Sequence, residues 1–118
     1  KSSLFNYEKV SKRKYLDIAS VNTSILIRTE SDIIKDVHLS AGGVAPIPLY
    51  LKKTVEFLTS NFISSDLLKE AAIIIDKEIS PISDVRGSEV YKRLLLRQLF
   101  YSHFIKLFPL LIKPEDLL

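Results

Sequence analysis

Val21-Asn22-Thr23-Ser24-Ile25-Leu26-Ile27-Arg28 alternates apolar with mainly polar residues. Val21, Thr23, Ile25 and Ile27 fall on one face and Asn22, Ser24, Leu26 and Arg28 on the other, the period of two that a half-buried strand requires. Glu30-Ser31-Asp32 follows as a hairpin turn. The alternation then resumes, with Val37, Leu39 and Ala41 opposite Asp36, His38 and Ser40, so the two strands are expected to pair antiparallel. Gly42-Gly43 bends or bulges the second strand, because glycine weakens a strand and allows close backbone approach. A short third strand fits around residues 44–49, confined to an edge by Pro46 and Pro48.

Beyond Pro48 the period becomes helical. Leu51, Val55 and Leu58 mark one helix, stopped near Ser60-Asn61. Ser64 or Ser65 caps a second, with Asp66 in its first turn and an inward stripe of Leu67, Leu68, Ala71, Ala72, Ile75 and Ile79. Pro81 ends it. A third runs from Glu89 to Phe108 with no Pro or Gly inside it, Ser88 as N-cap, Glu89 and Arg93 spaced i,i+4, and Pro109 as the stop. Val90, Leu94, Tyr101, Phe104, Ile105 and Phe108 form one apolar face of this helix; Leu96, Leu99, Phe100 and Leu107 form a second. Two such faces suit either a helix packed between elements of its own domain or one that also meets another domain or partner. Strands first and helices afterwards predict an α+β fold, a small antiparallel sheet of about three strands followed by three helices in a two-layer sandwich. Lys1 to Lys14 reads as a polar, basic connection and residues 109–118 as a tail.

With 118 residues, 47% hydrophobic and 26% charged, the chain supports one folded domain and is not disordered. It has no Met, which predicts a fragment or processed piece of something longer. The net charge of +3 is spread thinly, densest at Lys9, Lys12, Arg13 and Lys14, so nucleic-acid binding is not expected. No apolar run is long enough to span a bilayer, and residues 1–10 have no signal-peptide core. The absence of cysteine removes disulfides, thiolate zinc sites and iron–sulfur ligation from these residues.

Three collinear segments carry a family resemblance. Ser83-Asp84-Val85-Arg86-Gly87-Ser88 followed by Tyr91-Lys92-Arg93 resembles the S-D-V-R-G-S-x-x-Y-R-R signature in the C-terminal domain of the FAD-binding subunit of molybdenum hydroxylases, the xanthine dehydrogenase and carbon monoxide dehydrogenase family. Lys9-Val10-Ser11-Lys12-Arg13 with Asp17-Ile18-Ala19 resembles that domain's K-x-S-x-R…D-I-A opening. Ala41-Gly42-Gly43-Val44-Ala45-Pro46-Ile47-Pro48 resembles its G-G-V-A-P-x-P segment. Together they span about Tyr7 to Phe108, and Tyr7 to Arg13 is most similar to the xanthine dehydrogenase branch.

The resemblance implies that residues 1–14 connect to an upstream FAD-binding domain, that residues 15–108 form the CO dehydrogenase flavoprotein C-terminal-like domain, and that the intact cytoplasmic oxidoreductase also holds molybdopterin and 2Fe-2S clusters elsewhere. Its implied partners are that FAD-binding domain, a molybdopterin-binding subunit and an iron–sulfur domain or subunit. This domain would help enclose the flavin that passes electrons from the clusters to NAD or another acceptor. In the family the lysine matched by Lys9 lies near the pyrimidine edge of the flavin ring, where a fixed cation stabilises the charge that reduction places there. Without the resemblance Lys9 reads as a solvated lysine of a basic linker. Ser11 and Arg13 would fix the loop that presents it.

No residue stands out as catalytic and no metal site is expected. His38 and His103 lack a second His at ligand spacing and read as surface or interface residues. Gly42-Gly43 lacks the spacing of a phosphate loop, so strand bending is the stronger reading. Asp84 and Arg86 read as a corner held by its own hydrogen bonds, or as a docking point for a partner subunit. The alternative to the flavin reading is a stand-alone protein–protein interaction module with no redox role, docking through the second apolar face of the last helix.

Overall fold

The computed structural model describes residues 3–12, 18–43, 48–79 and 89–117, with backbone alone at 9–12, 18–20 and 89–91. Strands β1 (Ser3–Lys12), β2 (Ile18–Glu30), β3 (Ile33–Gly42) and β4 (Leu49–Tyr50) form one antiparallel sheet in sequential order. Helices α1 (Lys52–Leu58), α2 (Ser65–Glu78) and α3 (Glu89–Leu107) pack on one face, and a 3₁₀ turn at Pro114–Leu117 closes the described chain. The expected α+β sandwich is the fold. Among the described residues the sheet has a fourth strand, β1.

The β2–β3 hairpin turns on Ser31 and Asp32, whose φ angles of 51° and 65° give the positive-φ pair that suits the right-handed twist of the strands. Val21, Thr23, Ile25 and Ile27 of β2 and Val37, Leu39 and Ala41 of β3 are all buried, as their alternation predicts. Ile34 joins them after a register shift at Arg28/Thr29. β4 lies at the sheet edge; residues 44–47, most of the expected edge strand, lie outside the described residues.

β1 departs from the reading of residues 1–14 as a connection. It pairs with β2 from Ser3↔Arg28 to Lys12↔Ile18. Its inward positions include Asn6 and Glu8, whereas Phe5 and Tyr7 point outward and are 64% and 50% exposed. A strand whose polar side chains face the core shows no apolar inner stripe to find.

The helical layer is tied at its ends by side chains from elsewhere. Leu51 precedes α1 without a capping side chain; instead the Glu78 carboxylate accepts from the Lys53 and Thr54 backbone N–H groups at 2.6 and 3.1 Å and from the Thr54 hydroxyl at 2.9 Å. A carboxylate there satisfies free N–H groups and meets the positive helix end. Ser64 caps α2, its Oγ accepting from the Leu67 N–H at 3.1 Å. Arg93 of α3 donates to the carbonyls of Asp76 and Ile79 at the other end of α2.

α3 buries Leu95, Leu96, Leu99, Phe100, His103 and Phe104. The expected second face, with Phe104, is therefore the core face, and its members meet this chain's own sheet and helices. Leu94, Tyr101 and Ile105 lie on the other side, where they line a groove with Pro114 and Leu117. Residues 109–118, read as a tail, supply Ile112 to the core at 0% exposure. Among the described residues no helix is long and apolar enough to cross a membrane.

Phe104 packs edge-on to Phe100 at 5.4 Å between centroids and is fully buried. Phe104→Ala should therefore destabilise by about 3–5 kcal/mol. Ile73→Ala, at a side chain 57% exposed, should shift stability by under about 0.5 kcal/mol. Urea unfolding of both variants measures the contrast.

Candidate functional site

β1 presents two different surfaces. Leu4, Asn6 and Glu8 pair with Ile27, Ile25 and Thr23 in the inward file; Phe5 and Tyr7 pair with Leu26 and Ser24 in the outward file, and position 9 comes next in that ladder, opposite Asn22. Position 9 thus belongs to the sheet's outer face, in a row that continues through Asn22 to Gly42. The Lys9 side chain lies outside the described residues, as do that of Ser11, the whole of Arg13, and the Asp84–Arg86 corner with its capping Ser88.

The outer face carries Phe5, Tyr7, Leu26, His38 and Tyr50, all exposed. His38 is outward as expected; its Nδ1 lies 3.0 Å from the Tyr50 hydroxyl and its Nε2 3.5 Å from the Asp36 carboxylate. At the position-9 end, the Asn22 carboxamide lies across Gly42. A Cβ there would sit 2.7 Å from Asn22 Nδ2 and 2.9 Å from Oδ1, so Gly42 is a close-approach glycine as well as a strand residue.

Behind this face runs a chain of polar side chains from β2 through α3 to β1. His103, expected at a surface or interface, is 0% exposed and lies inside this domain, between α3 and the sheet. Its Nδ1 is 2.8 Å from Asn6 Nδ2 and its Nε2 3.3 Å from Thr23 Oγ1. Asn6 Nδ2 also donates to Glu8 Oε2 at 2.7 Å, and Lys106 Nζ lies 2.7 Å from the same oxygen. One proton arrangement satisfies every contact. A Glu8 carboxylate requires the Asn6 NH₂ to face it, the second Asn6 hydrogen then points at His103 Nδ1, and the ring carries its proton on Nε2 toward Thr23.

Burial opposes charge on the ring and, with Lys106 nearby, outweighs the pull of Glu8, lowering the His103 pKa to about 4. Burial pushes the Glu8 carboxyl up, but the hydrogen bonds from Lys106 and Asn6 and the charge of Lys106 more than offset it, so the group sits below its ordinary value. The spacing of His103 from Leu96, Leu99 and Phe100 is the helical i,i+3/i+4/i+7 signal that places it on the buried face. Nothing comparable in the sequence marks Asn6 or Glu8.

A family model described as the CO dehydrogenase flavoprotein C-terminal domain matches residues 6–107. The glyceraldehyde dehydrogenase medium chain of Sulfolobus acidocaldarius is 30% identical over 98 residues, 83% of this chain and 34% of that protein. Xanthine dehydrogenase 1 of Arabidopsis thaliana is 30% identical over 102 residues, 82% of this chain and 8% of that protein. The chain thus spans about a third or less of these relatives. Among solved structures, quinoline 2-oxidoreductase from Pseudomonas putida 86 shares the fold at a TM-score of 0.78 and 18% identity, covering 90% of this chain and 37% of its own. Carbon monoxide dehydrogenase from Hydrogenophaga pseudoflava does so at 0.76 and 23%, covering 83% and 34%.

Protonation of His103 is disfavoured in the fold, so the unfolded chain binds more protons between pH 6.5 and about 4. Stability should fall by up to about 3 kcal/mol as pH drops through that window. Glu8, whose folded pKa is depressed, should add a loss at still lower pH. His103→Leu should be less stable at neutral pH but flatter between pH 6.5 and 4. Urea midpoints measured across pH test both statements.

Proposed function

We propose, from the premise that the chain belongs to the CO dehydrogenase flavoprotein C-terminal domain family, that it is the C-terminal domain of the FAD-binding subunit of a xanthine dehydrogenase-like molybdenum hydroxylase. It helps to enclose the flavin that passes electrons from iron–sulfur clusters to NAD or another acceptor, in a cytoplasmic complex. The partners in this reading are an upstream FAD-binding domain, a molybdopterin-binding subunit and an iron–sulfur component. The observation that carries it is the family match across residues 6–107, which includes most of β1 and all of α3.

The residues of this chain suit one edge of a flavin and not the whole cofactor. Position 9 stands on an outer face that the helices leave open, beside exposed Phe5 and Tyr7, a surface able to take a planar, partly apolar group. The sequence has three glycines and neither phosphate-loop spacing, so the pyrophosphate needs another domain. FAD, when bound, supplies the two-electron redox chemistry. Lys9 supplies a cation at the N1/C2 end of the ring, favouring the negative charge that reduction places there. The inner network keeps β1 paired while its other face meets the cofactor.

The 118-residue chain alone should take up FAD weakly or not at all, whereas the complex that contains it should hold FAD stoichiometrically. Tight stoichiometric binding in a titration of the isolated chain would contradict the proposed division of the site. Lys9→Gln in the flavin-loaded complex should move the flavin potential negative, by about 30 mV for each tenfold loss of preference for the reduced form.

A further inference from the structure

We infer that Asn6, Glu8 and His103, with Thr23 and Lys106 at the two ends, form a clamp that fixes edge strand β1 against α3 and so positions Lys9. The inference rests on the reading that Lys9 meets the flavin, and it names the residues that set where that lysine stands.

Among the described residues β1 has a strand partner on one side, β2. Its outward residues Phe5 and Tyr7 are exposed, so they do little within this chain to hold it. Two of its inward positions, 6 and 8, are polar, and the ladder shifts register between Val10 and Ser11, immediately past position 9. Among the described side chains of β1 the inward apolar one is Leu4, 37% exposed and at the end of the strand away from position 9.

The side-chain network fills that place. Asn6 reaches His103 at 2.8 Å, and Glu8 is reached by Asn6 at 2.7 Å and by Lys106 at 2.7 Å, linking two successive inward positions of β1 to successive turns of α3. Residues 8 and 9 share a peptide unit and hold consecutive, alternating positions of the strand. A change in how Glu8 sits therefore swings position 9. Each contact also depends on the next: loss of the carboxylate frees the Asn6 amide to turn, which removes the donor facing His103 Nδ1. These are positioning residues, since all of them lie on the inner side of the sheet from the outer face that carries position 9.

The test uses the flavin-loaded complex that contains this chain, with Lys9→Gln, Glu8→Gln, Asn6→Leu and the pairs Lys9→Gln/Glu8→Gln and Lys9→Gln/Asn6→Leu. Flavin potential and melting temperature are measured for each. Lys9→Gln should cut the preference for reduced flavin about tenfold, near 30 mV. Glu8→Gln and Asn6→Leu should each cut it about threefold in the native background and add nothing in the Lys9→Gln background. Lys106→Gln, at a side chain 60% exposed, should act in the same direction and serves where Asn6→Leu does not assemble. A lowered melting temperature with unchanged potential in the clamp variants would overturn the inference while Lys9→Gln still shifts. An equal shift in both backgrounds would overturn it too. No shift in Lys9→Gln itself would defeat the flavin reading, and the clamp's positioning role with it.

Discussion

α3 can lie on the sheet only if His103 enters the core uncharged with both ring nitrogens met. A buried, unpaired imidazole nitrogen would cost about 1–3 kcal/mol, and a buried imidazolium more. Thr23 and Asn6 meet the two nitrogens from neighbouring strands, so a single residue on one helix fixes the spacing of β1 and β2 beneath it. Leu96, Leu99, Phe100 and Phe104 are buried with it on α3. Non-directional apolar contact would tolerate a sliding helix; the imidazole does not.

The same requirement explains the inverted strand β1. Its polar side chains point in because the helix brings polar partners there, and its aromatic side chains point out. An outer face carrying Phe5, Tyr7, Leu26 and Tyr50 is a surface of the kind proteins use for contact, and position 9 lies in it. The two sides of β1 thus divide the work: inner residues determine where the strand sits, and outer residues define what can approach it.

Most of the fold was legible because it follows from periodicity. The β2–β3 alternation, the turn at Ser31-Asp32, the Ser64 cap and the inward stripe of α2 each rest on neighbours in sequence, and each is present. β1 was hidden because polar Asn6 and Glu8 take the places where apolar residues are expected, which a single sequence shows as a linker. The sequence leaves the core face of α3 undecided for a related reason. Its apolar residues run almost all round the helix, so direction had to come from what lies outside it: the sheet on one side and Leu117 on the other. His103 was readable by spacing but not by type. The motif segments pointed to position 9, while the residues that hold it belong to contacts 80 and 97 positions apart in the chain.

The contacts that secure the helical layer differ in kind from those that secure β1. Glu78 on the start of α1 and Arg93 on the end of α2 each place a charge against several backbone groups, and the helices they join also share a continuous apolar core. Loss of one such contact leaves the layer packed. Among its described side chains β1 has fewer independent supports: the ladder to β2, a partly exposed Leu4, and a chain of side-chain hydrogen bonds that depend on one another. Local opening follows from few buried apolar contacts. The strand that carries position 9 is therefore the element whose geometry answers most directly to a few polar residues, and the helical layer is the fixed body against which they hold it.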